Sequence, residues 1–312
     1  MSDFKMQDQG TIVLSQHDYI PILVESFLID RRAQGLSAST IDFYRKKLKY
    51  FLAYCDAQAI TQISQLTSDL IRRYLIDLVE MHNQGGVHAC FRPLRTLLYW
   101  VESEEIMPAA WKNPMRKVKA PKVSAETIEP VSIQDVTALL ATCTAGFSGM
   151  RDKAIILTLL DTGARAQEFL DLNLEDMDLA SGSALIRKGK GRKPRMVFLG
   201  RKSRRAIRAY LRHRRDANLA VWATKDGDRL TYSALRGIVR RRALLAGLTG
   251  EPALHDFRRA FAINMLRSGV DIFALQKLMG HADLQVLRRY LAQTDQDLQI
   301  SHLRGSPVDN NF

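Results

Sequence analysis

Apolar residues recur at helical spacing along most of this chain, and the pattern turns strand-like only once. Ile22, Leu23, Phe27 and Leu28 predict a helix over about 19–32, ended by Gly35. Ser37, Ser39 or Thr40 can cap the next, over about 40–57, which sets Ile41, Tyr44, Leu48, Phe51 and Leu52 on one face. Arg45, Lys46, Lys47 and Lys49 fall largely on its other faces. A third helix opens at Thr67-Ser68-Asp69 and carries Ile71, Tyr74, Leu75 and Leu78. A fourth is expected after a break at Gly85-Gly86, running through Arg92, Arg95 and Trp100, with Pro93 in its first turn or at a kink.

Beyond these helices the texture changes. Over 107–130, Pro108, Pro114, Pro121 and Pro130 interrupt Lys112, Arg116, Lys117, Lys119 and Lys122, and no periodicity survives, as in an extended basic linker. Residues 131–312 read as mostly helical again. Within them Ala184-Leu185-Ile186 and Met196-Val197-Phe198-Leu199 flank a turn rich in Gly, Lys and Arg, which predicts two short strands in a hairpin. The chain thus divides into a loose lead (1–16), a small all-helical domain (17–106), the linker (107–130), and a mixed, mostly helical domain with a small hairpin and a C-terminal tail (131–312). The fold class is mainly α.

Composition narrows the partners. A net charge of +13 and a pI near 9.8 favour polyanions, although charge alone names no function. From Asp178 to Asp216 no acidic residue intervenes while Arg and Lys recur, and such a one-signed stretch argues for phosphate contact. A linker that wraps around DNA would have the texture of 107–130. Cys55, Cys90 and Cys143 are odd in number and unpaired in spacing, which argues against a disulfide framework and against a thiolate zinc site. No apolar run approaches the roughly 20 residues of a membrane span, and MSDFKMQDQG lacks the order of a signal peptide. A cytoplasmic protein without membrane partners is expected.

The chemistry-bearing residues lie in the second domain. Arg165 follows an apolar helix that Gly163 stops, so it is held at a turn between two helices, and an arginine grips two phosphate oxygens at once. His255 and Arg258 are three apart and share a helix face, where a neutral His can move a proton while the Arg holds an anion. Phe257, Phe261 and Ile263 are expected to pack inward as that face looks out. Gly280 ends a helix and His281 stands at the joint. Nine positions later comes Tyr290, which has no other tyrosine between itself and Tyr232. Each residue alone is unremarkable, and their order and spacing are restrictive.

In that order, Thr162-Gly163-Ala164-Arg165-Ala166-Gln167-Glu168, Lys190 in a basic hairpin, His255-Asp256-Phe257-Arg258, Leu278-Met279-Gly280-His281 and Tyr290, the chain resembles the tyrosine recombinase (integrase) family, in its two-domain, Xer-like or mobile-element form. The resemblance implies a site-specific recombinase that cuts and rejoins DNA through a 3′-phosphotyrosine. By it, Tyr290 is the nucleophile, Arg165 and Arg258 clamp the phosphate, Lys190 protonates the leaving oxygen, His255 and His281 complete the site, and Glu168 supports it. Lys188 and Lys193 are weaker candidates for the hairpin lysine. Two details depart from the family: Arg259 stands where a His is common, and Ala164 replaces a larger apolar residue. No metal or other cofactor is expected, since the arginines and lysine supply the positive charge and no carboxylates cluster there. The expected partners are double-stranded DNA with inverted-repeat core sites and further copies of the chain or a related recombinase, four in a synapse, in the bacterial nucleoid. Arg45, Lys49, Arg92 and Arg95 would press one side of the duplex, with Lys188, Arg192, Arg236 and Arg240 as further contacts, the last two on a basic helix suited to the major groove. A type IB topoisomerase and a catalytically silent DNA-binding protein are the rival readings. The hairpin lysine and the Gly-His-to-Tyr spacing weigh against the first, and the full set of chemical groups against the second.

Overall fold

The computed structural model describes residues 18–123, 130–187, 194–280, 299, 302–303 and 305–310, and the chain divides into two compact units, residues 1–126 and 127–312. The first unit is built from α1 (Ile20–Ala33), α2 (Ala38–Ala57), α3 (Ser68–Met81) and α4 (Gln84–Ser103). Side chains of Ser37, Thr67 and Asn83 accept hydrogen bonds from the Thr40, Leu70 and Gly86 amides and so cap α2, α3 and α4. Ile20, Leu23, Val24, Phe27 and Leu28 form the buried stripe of α1. Ile22, one of the residues that predicted this helix, lies off that stripe and is 51% exposed. Phe27 stacks on Tyr44 at 5.6 Å and meets Trp100 at the same distance, joining α1, α2 and α4 in one core.

Three expectations for this unit change. Gly85-Gly86 is no break: both lie in the first turn of α4, where the Asn83 cap offsets the poor helix propensity of glycine. Pro93 is buried in the middle of α4 rather than in its first turn. The supposed linker is folded back over its first half. Asn113 donates to the Leu98 carbonyl (3.0 Å) and caps a 3₁₀ turn over Pro114–Lys117, and Met115 and Val118 enter the core. Ser68 Oγ donates to the Pro114 carbonyl at 2.8 Å and Arg72 to the Lys117 carbonyl at 2.9 Å. An irregular segment buries apolar residues one at a time, which leaves no period to read.

The second unit comprises α5 (Ile133–Ala141), α6 (Phe147–Thr162), the short α7 (Ala166–Leu170), strands β1 (Met177–Asp178), β2 (Ser183–Ile186) and β3 (Arg195–Phe198), α8 (Arg201–Leu211), α9 (Tyr232–Leu245), α10 (Leu254–Arg267) and α11 (Ile272–Met279). The strands form one antiparallel sheet in the order β1-β2-β3, with Ser183 paired to Phe198 and Ile186 to Arg195. The hairpin is therefore present, and a third strand, two residues long and without visible alternation, joins it. α6 is the central element: its Ala154, Ile155, Ile156 and Leu159 are buried, and α8, α10 and α5 pack on it. Trp222 stacks between Phe169 (4.5 Å) and Tyr210 (6.0 Å). Fully buried Asp152 accepts from both Arg151 and Arg242, so its charge is paired within the core. Among the described residues no helix is long and apolar enough to cross a membrane.

Candidate active site

The site begins where α6 stops. Gly163 adopts a left-handed φ of +56°, and a Cβ there would lie 2.3 Å from the Phe261 ring, so both backbone and space call for glycine. The turn delivers Arg165 to the N-terminus of α7, where Glu168 faces back toward it. Glu168 accepts from the Arg165 amide at 2.9 Å and from its guanidinium at 2.8 Å, which ties the arginine to its own helix.

A second arginine enters from β3. Arg195 donates both terminal nitrogens to Glu168, at 3.0 and 2.6 Å. Burial alone pushes the Glu168 carboxyl up, but hydrogen bonds from Arg195 and Arg165 outweigh it and hold the pKa at about 2. The carboxylate is therefore ionised at neutral pH, and it fixes two arginines at once.

The same arginines grip the end of α11. That helix closes at Gly280, again left-handed (φ +63°). The carbonyls of Leu278, Met279 and Gly280 accept from Arg195 (3.0 Å), Arg258 (2.7 Å) and Arg165 (3.1 Å) respectively. Terminal carbonyls lack partners within their helix and form the negative end of its dipole, so three guanidinium groups there are electrostatically favoured. Arg258 also donates to the Gly163 carbonyl, linking the end of α6 to the end of α11. Arg165, Glu168, Arg195, Arg258 and the two glycine turns thus form one assembly.

Arg258 departs from expectation. It was to look outward beside His255, yet it is 1% exposed, while His255 is at the surface. The reason is that α10 is covered on two sides: Phe257 packs into the main core, and Phe261 with Ala262 packs against Leu275 and Met279 of α11. Ile263, also expected inside, is only half-buried. The His255 pKa is lowered by desolvation first and then by the charges of Arg259, Arg258 and Arg165, partly offset by Asp256. The shift favours the neutral ring, the form that can accept a proton. Arg259 pairs with Asp256 at 2.6 Å.

Arg195 escaped the sequence reading. It lies in the acid-free run, but nothing in its residue type separates it from Arg187, Lys188, Lys190, Arg192 and Lys193 nearby. Of these, Arg187 is bound to Glu175 and Asp176. Lys188, Lys190, Arg192 and Lys193, like His281 and Tyr290, lie outside the described residues. Ile186 and Arg195 are paired at the open ends of β2 and β3, and Arg195 is the residue of that pair whose side chain reaches Glu168. His281 directly follows Gly280. Among the described residues no group of His, Cys, Asp or Glu could hold a metal ion.

The candidate DNA contacts separate. In the first unit Arg92 and Arg95 line an open groove of about 910 Å³ with Arg31, His88, Phe43 and Tyr99. Arg92 lies over the Phe43 ring at 5.4 Å and Arg95 over Tyr99 at 5.5 Å. Arg45 and Lys49 are exposed but do not line it, and Arg45 faces Glu25 of α1 at 3.4 Å. In the second unit Arg236 and Arg240 are both exposed on α9, and Arg240 is paired with Glu251 at 2.8 Å.

Comparison with known proteins identifies the relatives of the chain. Residues 131–297 match the model of the phage integrase family. The chain is 31% identical to tyrosine recombinase XerC of Pelobacter propionicus, over 82% of this chain and 85% of that protein. It is 28% identical to tyrosine recombinase XerD of Proteus mirabilis, over 98% and 99%. In fold it is similar to a lambda integrase tetramer bound to a Holliday junction (TM-score 0.73, 14% identity, 94% of this chain and 84% of that one). It is also similar to XerH recombinase bound to its palindromic difH substrate after cleavage (TM-score 0.70, 20% identity, 99% and 92%). With more than half its length inside the family model and a relative above 30% identity across most of it, the chain belongs to the phage integrase family of tyrosine recombinases.

Proposed function

We propose that this site-specific recombinase breaks and rejoins DNA with Tyr290 as nucleophile, at a phosphate held by Arg165 and Arg258. The observation that carries this reading is the meeting of Arg165, Arg195 and Arg258 at the carbonyls of residues 278–280, directly before His281 in the chain. Such an assembly places fixed positive charge where a phosphate transition state gains negative charge. Arg165, with 29% of its side chain exposed, is the more open of the two clamp arginines. Arg258 is held by the Gly163 and Met279 carbonyls, so phosphate competes with them for its donors.

The step is a transesterification. The Tyr290 oxygen forms a bond to phosphorus, the bond from phosphorus to the 5′ oxygen breaks, His255 takes the tyrosine proton and Lys190 gives one to the leaving oxygen. A 3′-phosphotyrosine and a free 5′ hydroxyl result. A 5′ hydroxyl from the same or another strand then reverses the attack, so the bond energy is conserved and no nucleotide is consumed. The neutral His255, favoured by desolvation and then by the arginines around it, suits the role of base. On the same reading Glu168 supports the clamp. The groove of Arg92 and Arg95, together with Lys49, Lys188, Arg192 and Arg236, holds the duplex, and Arg45 and Arg240 join after exchanging their carboxylate partners. Inverted-repeat core sites, a tetramer in synapsis and a mobile-element or replicon-resolving role in the bacterial cytoplasm complete the proposal. Solved relatives in fold are described as a tetramer on a junction and as bound to a palindromic site.

The test uses duplexes that the protein itself selects from a random pool, nicked near the scissile phosphate so that a covalent adduct accumulates. Wild-type protein is expected to form an adduct resistant to denaturation, and Tyr290→Phe to form none while still binding. The adduct should also form more slowly as pH falls through the lowered His255 pKa. An adduct that persists in Tyr290→Phe would displace Tyr290 as the nucleophile.

A further inference from the structure

A second cationic surface lies on α8, apart from the arginines discussed so far. Ser203, Ala206, Ile207 and Tyr210 form its inner face and are buried in the core of the second unit. Its outer side presents Arg201, Lys202, Arg205, Arg208 and the capping Arg212, all exposed. The four arginines follow the i, i+4, i+7, i+11 spacing of a single helical stripe. Among the described residues none of these five side chains is in an ion pair, although Arg208 reaches the Leu179 carbonyl.

The stripe has a direction. At its start, the Gly200 amide donates to Asp161 at 2.6 Å, near the end of α6 that carries Gly163 and Arg165. At its far end, Tyr210 packs on Phe147 at the opposite end of α6, with ring centroids 5.7 Å apart. The cations therefore run away from the catalytic assembly for about 16 Å, a length that faces roughly five phosphates of one DNA strand.

Folding accounts for only part of this arrangement, through the Arg208 contact and the position of Arg208 and Arg212 at the C-terminal end of α8. Like charges at i, i+4 repel, and Arg201 and Lys202 sit at the end of α8 where the helix dipole disfavours cations. A mixed-sign face would hold the helix better. A membrane surface is a poor occupant, because a helix that lies on lipid inserts its apolar face and that of α8 is already buried. We propose that the outer face of α8 grips the DNA backbone beyond the base pairs held at the catalytic arginines. The proposal rests on the reading of DNA as substrate and adds a contact that this reading does not need.

The test measures binding of the full chain to random-sequence duplex of about 40 base pairs over a range of salt, where each phosphate contact adds about 0.9 to the slope of log affinity against log salt. The triple variant Arg205→Gln/Arg208→Gln/Arg212→Gln is expected to lower that slope by about 2–3. The charge-matched variant Lys46→Gln/Lys153→Gln/Lys225→Gln, exposed elsewhere, is expected to lower it by less than about 1. Cooperative unfolding of the stripe variant near the wild-type temperature excludes misfolding as the cause. Equal slopes for the two variants overturn the proposal. So does an unchanged DNA slope accompanied by stripe-dependent binding to vesicles containing phosphatidylserine. Adduct formation by wild-type protein is measured alongside: a normal adduct with equal slopes sinks the α8 contact alone, whereas no adduct at all sinks the recombinase mechanism.

Discussion

Glu168 shows how one carboxylate can organise a site. Its ordinary pKa of 4.5 is moved to about 2, so it stabilises the fold by about 3 kcal/mol at neutral pH. The folded-state value is the depressed one, so this stabilisation is complete above about pH 4.5 and is lost as pH falls toward 2. Glu168→Gln leaves Arg195, with only 10% of its side chain exposed, without its counter-charge. The substitution is expected to cost roughly 3–5 kcal/mol in urea unfolding at pH 7. It should also flatten the dependence of stability on pH between about 4.5 and 2, and a variant as acid-sensitive as wild type would contradict this account. Glu168 was expected through the family resemblance, which places it in the pattern Thr162-Gly163-Ala164-Arg165-Ala166-Gln167-Glu168. Arg195 was not, since only the pairing of β3 with β2 brings it to that carboxylate.

At the scale of elements, the site depends on how two helices end. α6 and α11 both finish on a left-handed glycine, and Arg258 spans the two ends. Gly163→Ala combines an unfavourable φ with a Cβ only 2.3 Å from the Phe261 ring. It is expected to cost roughly 1–3 kcal/mol through steric strain and to slow adduct formation, because Phe261 lies on α10 with His255 and Arg258. Thermal unfolding and the adduct assay check both; an Ala variant with wild-type stability and rate would show that the turn tolerates a side chain. Gly163 and Gly280 were readable as helix stops from sequence. That their carbonyls would receive Arg258 and Arg165 was not, because those donors lie 95 and 115 positions away along the chain. The half-folded linker has the same cause, since Asn113, Met115 and Val118 are held by partners that no local pattern names.

For the whole molecule, a net charge of +13 is divided between surfaces of different kinds. The groove of Arg92 and Arg95 interleaves cations with aromatic rings, whereas the face of α8 is a bare row of charge. If four chains meet on two duplexes through their C-terminal tails, deleting residues 295–312 should leave binding to one site intact but reduce the paired complex at least tenfold. Sedimentation with a single site and with two sites separates the outcomes, and undiminished pairing would remove the tail from the assembly. The sequence by itself determined the helical class, the hairpin and the ordered set from Arg165 to Tyr290, because period, helix stops and motif spacing are local properties of the chain. Tertiary structure decided which cations are free and which are spent. Arg258 is buried, Arg187 and Arg240 are paired with carboxylates, Arg195 is joined to Glu168, and among the described residues the α8 stripe is in no ion pair. A charge acquires its partner only when folding brings distant segments together, and composition cannot record that meeting.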